Sequence, residues 1–147
     1  MPRERYQGRL AELRSETAFV GELVVEALRE GLDALDRHDP APDRPVADRA
    51  AEISRRCLEL ERECIDLFAL QQPVATDLRV VAATYKLLTD LERAGGLAAN
   101  LESYAAAAEH ELPPAVDVRR IGAVRAGELG GAPGPHARGG GAAPRGG

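Results

Sequence analysis

Residues 70–96 read LQQPVATDLRVVAATYKLLTDLERAGG. Pro73 fits the first turn of a helix, where its missing N–H leaves no hydrogen bond unmade. Downstream of it, a stripe recurs at intervals of three and four residues, as on one face of a helix. The stripe comprises Leu78, Val81, Tyr85, Leu88, Glu92, Gly95 and Ala99. The segment therefore predicts a helix over 73–109 that carries a carboxylate, Glu92, on its apolar face.

Two more helical patterns precede this segment. A helix is predicted over 45–71 from the steps of four and three that connect Val46, Ala50, Ile53, Cys57, Leu60, Cys64 and Leu67. A helix over 5–38 has a similar stripe and ends before Pro40, because proline disfavours helix in the residue that precedes it. Long helices joined by short linkers predict an all-α fold, an antiparallel three-helix bundle within residues 1–112.

The two cysteines, Cys57 and Cys64, both lie on the apolar stripe of the second helix. Seven helical residues separate their Cα atoms by roughly 10 Å, which is too far for a disulfide between them. A zinc site would need further Cys or His ligands nearby, and the surrounding sequence offers none. Small, buried core residues are the favoured interpretation.

Composition limits the possible functions. The 147 residues carry a net charge of −5, and residues 1–116 hold 14 basic against 22 acidic side chains, which disfavours binding to nucleic acid or to an anionic membrane. No apolar run is long enough for a secretory or membrane-spanning segment, so a cytoplasmic protein without membrane insertion is expected. A di-iron bundle enzyme would need Glu-x-x-His pairs, and a phosphate-loop enzyme a glycine-rich loop. The sequence has neither, which predicts a protein that is not an enzyme.

The C-terminal part departs from the helical pattern. Residues 113–125 resemble the start of another helix, with Asp117 as an N-cap. Glycine and proline then dominate, and Leu129 is the single large aliphatic residue after position 126. Such a segment cannot bury enough apolar surface to offset its chain entropy, so residues 126–147 are predicted to be a disordered tail.

The residues Leu70-Gln71-Gln72-Pro73-Val74-Ala75-x-Asp77-Leu78-Arg79, followed by Asp90-Leu91-Glu92-Arg93, resemble two ordered motifs of the PhoU family. A looser similarity extends from Tyr6 to Tyr104 and covers about one family repeat, where members usually have two. The resemblance implies that residues 113–125 open a second repeat, and that the tail is an out-of-frame product of a truncated member.

The resemblance also implies a function. The implied function is regulation of phosphate homeostasis, in which the protein lowers uptake by the phosphate ABC transporter and damps phosphate-starvation signalling. The implied partners are subunits of the transporter and a sensor kinase. The candidate contact residues of the motif are Gln72, Asp77, Arg79, Asp90 and Arg93. The alternative for each of them is a structural role, as a helix cap or as a partner in an ion pair. A single repeat leaves a face exposed, so a homo-oligomer is expected. The alternatives are a generic helical scaffold and a non-functional truncated fragment.

Metal binding is a further implication of the resemblance. PhoU proteins carry a Glu-x-x-x-Asp pattern on the third helix of each repeat, and carboxylates one turn apart can hold a divalent or iron-type metal. Here the pattern starts at Glu92, but its second position is Gly96. Glu92 is therefore either the remaining ligand of a weak or shared site, or a half-buried carboxylate paired with an arginine of the first or second helix.

Overall fold

The computed structural model describes residues 2–37, 45–70 and 74–107, and these form three helices. The helices are α1 (Arg3–Arg37), α2 (Val46–Ala69) and α3 (Ala75–Ala107). The predicted all-α three-helix bundle is confirmed, and the predicted ends of the helices differ by one to two residues wherever the chain is described. The start of a second repeat predicted for residues 113–125 and the disordered tail predicted for residues 126–147 lie outside the described residues.

Contacts between side chains establish the topology. Arg9 of α1 forms a bidentate ion pair with Glu63 of α2, at 2.7 and 2.8 Å, and Arg49 near the start of α2 lies 2.9 Å from Glu30 near the end of α1. The two helices are therefore antiparallel. On the other side of α2, Ile53 contacts Gly95 of α3, and Val46 is hydrogen-bonded to Glu102. Since these pairs run in opposite directions, α3 is antiparallel to α2 and parallel to α1.

The core lies along the common axis of the three helices. Its largest fully buried side chains are Leu13, Val20, Val46, Ile53, Leu67, Val81 and Leu88. Burying such a side chain contributes roughly 1.5–3 kcal/mol, so the apolar stripes of the three helices hold the bundle together. None of the helices in the described ranges is long and apolar enough to cross a membrane.

Helices α1 and α3 approach each other closely at Gly31. A Cβ atom added to Gly31 would lie 2.7 Å from the carbonyl oxygen of Ala98 and 3.2 Å from Cβ of Leu101. Glycine is therefore required here by the space between two backbones, since no methyl group fits at that distance.

The close approach also decides which face of α3 is buried. The buried residues are Val81, Thr84, Leu88, Gly95, Ala98, Glu102 and Ala105. The sequence pattern placed Tyr85, Glu92 and Ala99 on this face, but Tyr85 and Glu92 are exposed and Ala99 is only partly buried. The prediction was wrong for Ala99 because Ala98, one position earlier, faces Gly31 of α1, where the two backbones are too close for a larger side chain. Gly95 and Gly96 lie within the continuous helix α3, although glycine weakens a helix interior.

Cys57 and Cys64 are fully buried and unpaired, which confirms their interpretation as core residues. Burial raises the pKa of each thiol from 9.0 to about 11, and nearby carboxylates add to the effect: Glu92 and Glu61 at Cys57, Glu63 and Glu61 at Cys64. Both side chains are therefore neutral thiols near pH 7, the unreactive form.

Alkaline pH should destabilise the bundle through these two thiols. Because the pKa values are higher in the folded state than in the unfolded chain, the folded state holds the two protons more tightly. Their contribution to stability is complete below pH 9 and is lost as the pH rises towards about 11. We expect the free energy of unfolding, measured by urea titration over this window, to fall more steeply for the wild type than for Cys57→Ala/Cys64→Ala. Parallel pH profiles for the two proteins would contradict this.

Candidate functional site

Asp77, in the first turn of α3, connects that helix to the beginning of α1. Gln7 donates a hydrogen bond from Nε2 to Oδ2 of Asp77 at 3.0 Å, across 70 residues of sequence. Burial first, and then the charge of Asp77, raises the pKa of Tyr6 next to it. A carboxylate in the first turn also interacts favourably with the helix dipole. Asp77 therefore holds two helix starts together at one end of the bundle.

Glu92 lies on the surface between α2 and α3. The hydroxyl of Ser54 donates a 2.6 Å hydrogen bond to Oε1 of Glu92, and both atoms are accessible to solvent. The prediction that Glu92 sits on the buried face was wrong. So was the alternative of an arginine partner, since Ser54 supplies the contact that the described residues show. Glu92 therefore connects α3 to α2 by a hydrogen bond at the surface.

The buried carboxylate of α3 belongs to Glu102 instead. Its side chain is 9% exposed, and Oε2 accepts a 2.9 Å hydrogen bond from the backbone N–H of Val46, the first residue of α2. Pro45 precedes that helix and provides no side-chain cap. Glu102 therefore caps α2 from a neighbouring helix, and its negative charge faces the positive end of the helix dipole.

Sequence reasoning missed Glu102, although two signals pointed to it. It lies seven residues after Gly95 and fourteen after Leu88, so it continues their stripe. In addition, Pro45 cannot cap the helix that follows it, which leaves backbone donors in need of an acceptor.

Arg79, Asp90 and Arg93 of the predicted motif are all exposed on α3. None of them has an ion pair or side-chain hydrogen bond within residues 2–37, 45–70 and 74–107. Gln72 lies outside the described residues. The structure thus separates the motif into Asp77, which joins two helices, and three charges that face outward.

Comparison with known proteins identifies the family of this chain. The family model of the PhoU domain matches residues 18–104, more than half of the chain. The chain belongs to the PhoU family. The resemblance in residues 70–79 and 90–93 is thereby confirmed.

PhoU-family relatives are similar along most of the chain. The "Phosphate-specific transport system accessory protein PhoU homolog 1" of Methanothermobacter thermautotrophicus is 32% identical over 123 residues, which cover 82% of this chain and 56% of the relative. The PhoU homolog of Aquifex aeolicus is 33% identical over 111 residues, covering 74% and 50%. That of Pseudomonas putida is 30% identical over 122 residues, covering 81% and 48%. The chain spans about half the length of these relatives, and no solved structure matches it.

The described residues do not by themselves fit the metal that the PhoU resemblance implies. Of the two carboxylates in the family pattern only Glu92 is present, because the second position is Gly96, which supplies no ligand. Oε1 of Glu92 already accepts a hydrogen bond from the Ser54 hydroxyl. Within the three described ranges, no group of three or more His, Cys, Asp or Glu side chains could hold a metal ion. Binding at Glu92 thus needs ligands from elsewhere and stays a prediction.

Proposed function

We propose that this PhoU-family chain is a non-enzymatic regulator of phosphate homeostasis in the cytoplasm. It lowers uptake through the phosphate ABC transporter and damps phosphate-starvation signalling, by contacts with transporter subunits and with a sensor kinase. The observation that carries the proposal is the family match over 18–104, together with relatives named as accessory proteins of the phosphate-specific transport system.

The surface chemistry agrees with a role in protein contacts. Arg79, Asp90 and Arg93 are exposed, and no ion pair within the described ranges neutralises them, so their charges are available to a partner. Large apolar side chains are exposed as well, including Leu58, Ile65 and Phe68 of α2. Their spacing of seven and three residues places them along one face of α2, and a contiguous exposed apolar patch is typical of an interaction surface. They also favour a homo-oligomer as the functional state.

Deletion of the gene tests the proposal. In phosphate-rich medium, we expect deletion to raise the initial rate of labelled phosphate uptake and the expression of a phosphate-starvation reporter. Expression of the 147-residue chain from a plasmid should restore both values. Unchanged uptake and reporter activity after deletion would contradict the proposal and favour a generic helical scaffold. A deletion phenotype that the chain fails to restore would favour a non-functional fragment.

A further inference from the structure

Helices α2 and α3 meet at the surface along a line whose register is given by one contact. Ser54 of α2 donates a hydrogen bond to Glu92 of α3. Seven residues make about two helical turns, so positions seven apart stay on one face of a helix. Because the two helices are antiparallel, a step of seven forward on α2 and seven back on α3 brings Glu61 opposite Tyr85. A surface groove follows this line of contact.

Apolar and small side chains line the groove. Four large apolar residues along it are between 38% and 54% exposed: Leu58, Ile65, Phe68 and Tyr85. Small residues recur at intervals of seven along its α3 side, and all of them are exposed: Ala75, Ala82, Thr89 and Gly96. We call these eight residues the α2–α3 groove. Large apolar side chains beside small ones leave room for a further helix to lay its apolar face between α2 and α3.

A row of exposed basic residues borders the α2–α3 groove on each side. On α3 the row is Arg79, Lys86 and Arg93, each of which follows a small residue of the groove by four positions. On α2 it is Arg55 and Arg62, each three positions before a large apolar residue of the groove. Arg55 forms an exposed ion pair within its own helix, and such pairs are weak. The other four have no ion pair within residues 2–37, 45–70 and 74–107, so their charges are available to a partner.

We propose that the α2–α3 groove binds one amphipathic helix of a partner protein, with apolar residues on its buried face and acidic residues on both flanks. The groove and its basic rows repeat every seven residues, or about 10.5 Å along a helix. The partner that matches this repeat is a heptad helix with apolar residues at a and d and Glu or Asp at e and g. Glu61, half-buried on the groove line, adds one polar position, which a hydroxyl or amide donor of the partner would meet. The inference rests on the proposed function, for which it names the chemistry of the partner.

The charges of the groove select this occupant over two others that its apolar residues alone would suit. A second copy that presented the same groove would bring basic rows against basic rows, and like charges repel. An anionic membrane is broad and flat, so it would also cover Glu59 and Asp66, which are exposed on α2 just outside its basic row. A single helix reaches the groove and its two rows without covering these carboxylates. Both α1 and α2 hold more acidic than basic residues, eight against six and six against four, which further disfavours an extended anionic surface.

A labelled synthetic peptide tests the groove on the full 147-residue chain. The peptide holds about three heptads, with leucine at a and d and glutamate at e and g, and fluorescence anisotropy at physiological salt measures its Kd. We expect saturable binding, and we expect Arg79→Glu/Lys86→Glu/Arg93→Glu to raise Kd by about tenfold or more. A control peptide with lysine at e and g should not bind.

Matched variants separate the groove from general effects of charge and hydrophobicity. Arg5→Glu/Arg14→Glu/Arg29→Glu makes the same change of net charge at three exposed positions of α1, and it should leave Kd unchanged because salt screens distant charges. Ile65→Ser removes an apolar side chain from the groove and should raise Kd by about tenfold. Val25→Ser changes an exposed apolar residue of α1 and should not. All these positions are exposed, and circular dichroism checks that each variant keeps its helices.

Several results would overturn the proposal. They are equal binding of the acidic and basic peptides, equal losses from the two triple variants, and an Ile65→Ser variant that binds like the wild type. Two further results would assign the groove to another occupant: binding to phosphatidylglycerol vesicles in place of the peptide, or self-association of the chain that Ile65→Ser abolishes. Failure of peptide binding is distinguishable from failure of the phosphate role, because gene deletion tests that role in cells.

Discussion

Replacing Gly31 with valine should lower the free energy of unfolding by about 3 kcal/mol or more, the largest effect that we expect from a single substitution in this bundle. A Cβ atom at this position would lie 2.7 Å from the carbonyl oxygen of Ala98, which belongs to the backbone and cannot rotate away. Inserting atoms into a packed interface costs about 1–3 kcal/mol and occasionally more. Valine adds three carbons there, so α1 and α3 must separate. Urea unfolding followed by circular dichroism measures the loss.

Gly31→Ala and Gly21→Ala form the matched comparison, because both glycines lie within α1. Alanine ordinarily stabilises a helix interior by about 0.5–1 kcal/mol relative to glycine. At Gly21, where an added Cβ meets no atom of the described residues within 4 Å, we expect that gain. At Gly31 the clash should outweigh it and give a net loss of about 1–2 kcal/mol. Equal stabilisation by both alanines would show that α1 and α3 are not in close contact.

Glu102→Ala should destabilise the bundle by about 2 kcal/mol. The substitution removes the acceptor of the Val46 N–H, and Val46 is fully buried, so the donor is left without a partner. An unsatisfied buried donor costs about 1–3 kcal/mol, and a lost N-cap typically about 1 kcal/mol. Glu102→Gln keeps an oxygen acceptor and should lose less. Denaturant unfolding of the three proteins gives the values.

Glu92→Ala is the control for this prediction. Glu92 is a glutamate of the same helix, but its hydrogen bond with Ser54 is on the surface. Exposed interactions of this kind contribute about 0–1 kcal/mol. The order of stability should therefore be wild type, then Glu92→Ala, then Glu102→Ala. The reverse order of the two alanine variants would place the structural carboxylate at Glu92.

The repeating steps of three and four residues were sufficient to predict the three helices and most of the core. Ile53, Cys57, Cys64 and Leu67 are buried as their spacing on α2 requires, because α2 has one clear apolar face with charges opposite. In α3 two stripes share Val81, Leu88 and Gly95. Spacing alone cannot choose between them. The choice depends on how near α1 approaches, which is a property of three helices packed together.

The roles of the motif residues also depended on tertiary contacts. The sequence identified Asp77 and Glu92 as candidate site residues, but their partners Gln7 and Ser54 are 70 and 38 residues away along the chain. No local pattern specifies such a pairing. The same holds for Glu102. Its position on the buried stripe of α3 is predictable from spacing, but its contact with the start of α2 depends on the antiparallel arrangement of the two helices.

The cap that Glu102 places on α2 has a consequence for the order of events during synthesis. Glu102 follows Val46 by 56 residues, so α2 leaves the ribosome without the acceptor for its first amide. In a nascent chain that ends between these residues, the first amide of α2 has no cap and Gly31 of α1 has no α3 backbone to pack against. The contacts that Ala98 and Glu102 make with the first two helices therefore form only after the third helix has emerged almost completely, so most of the repeat leaves the ribosome before the bundle is complete.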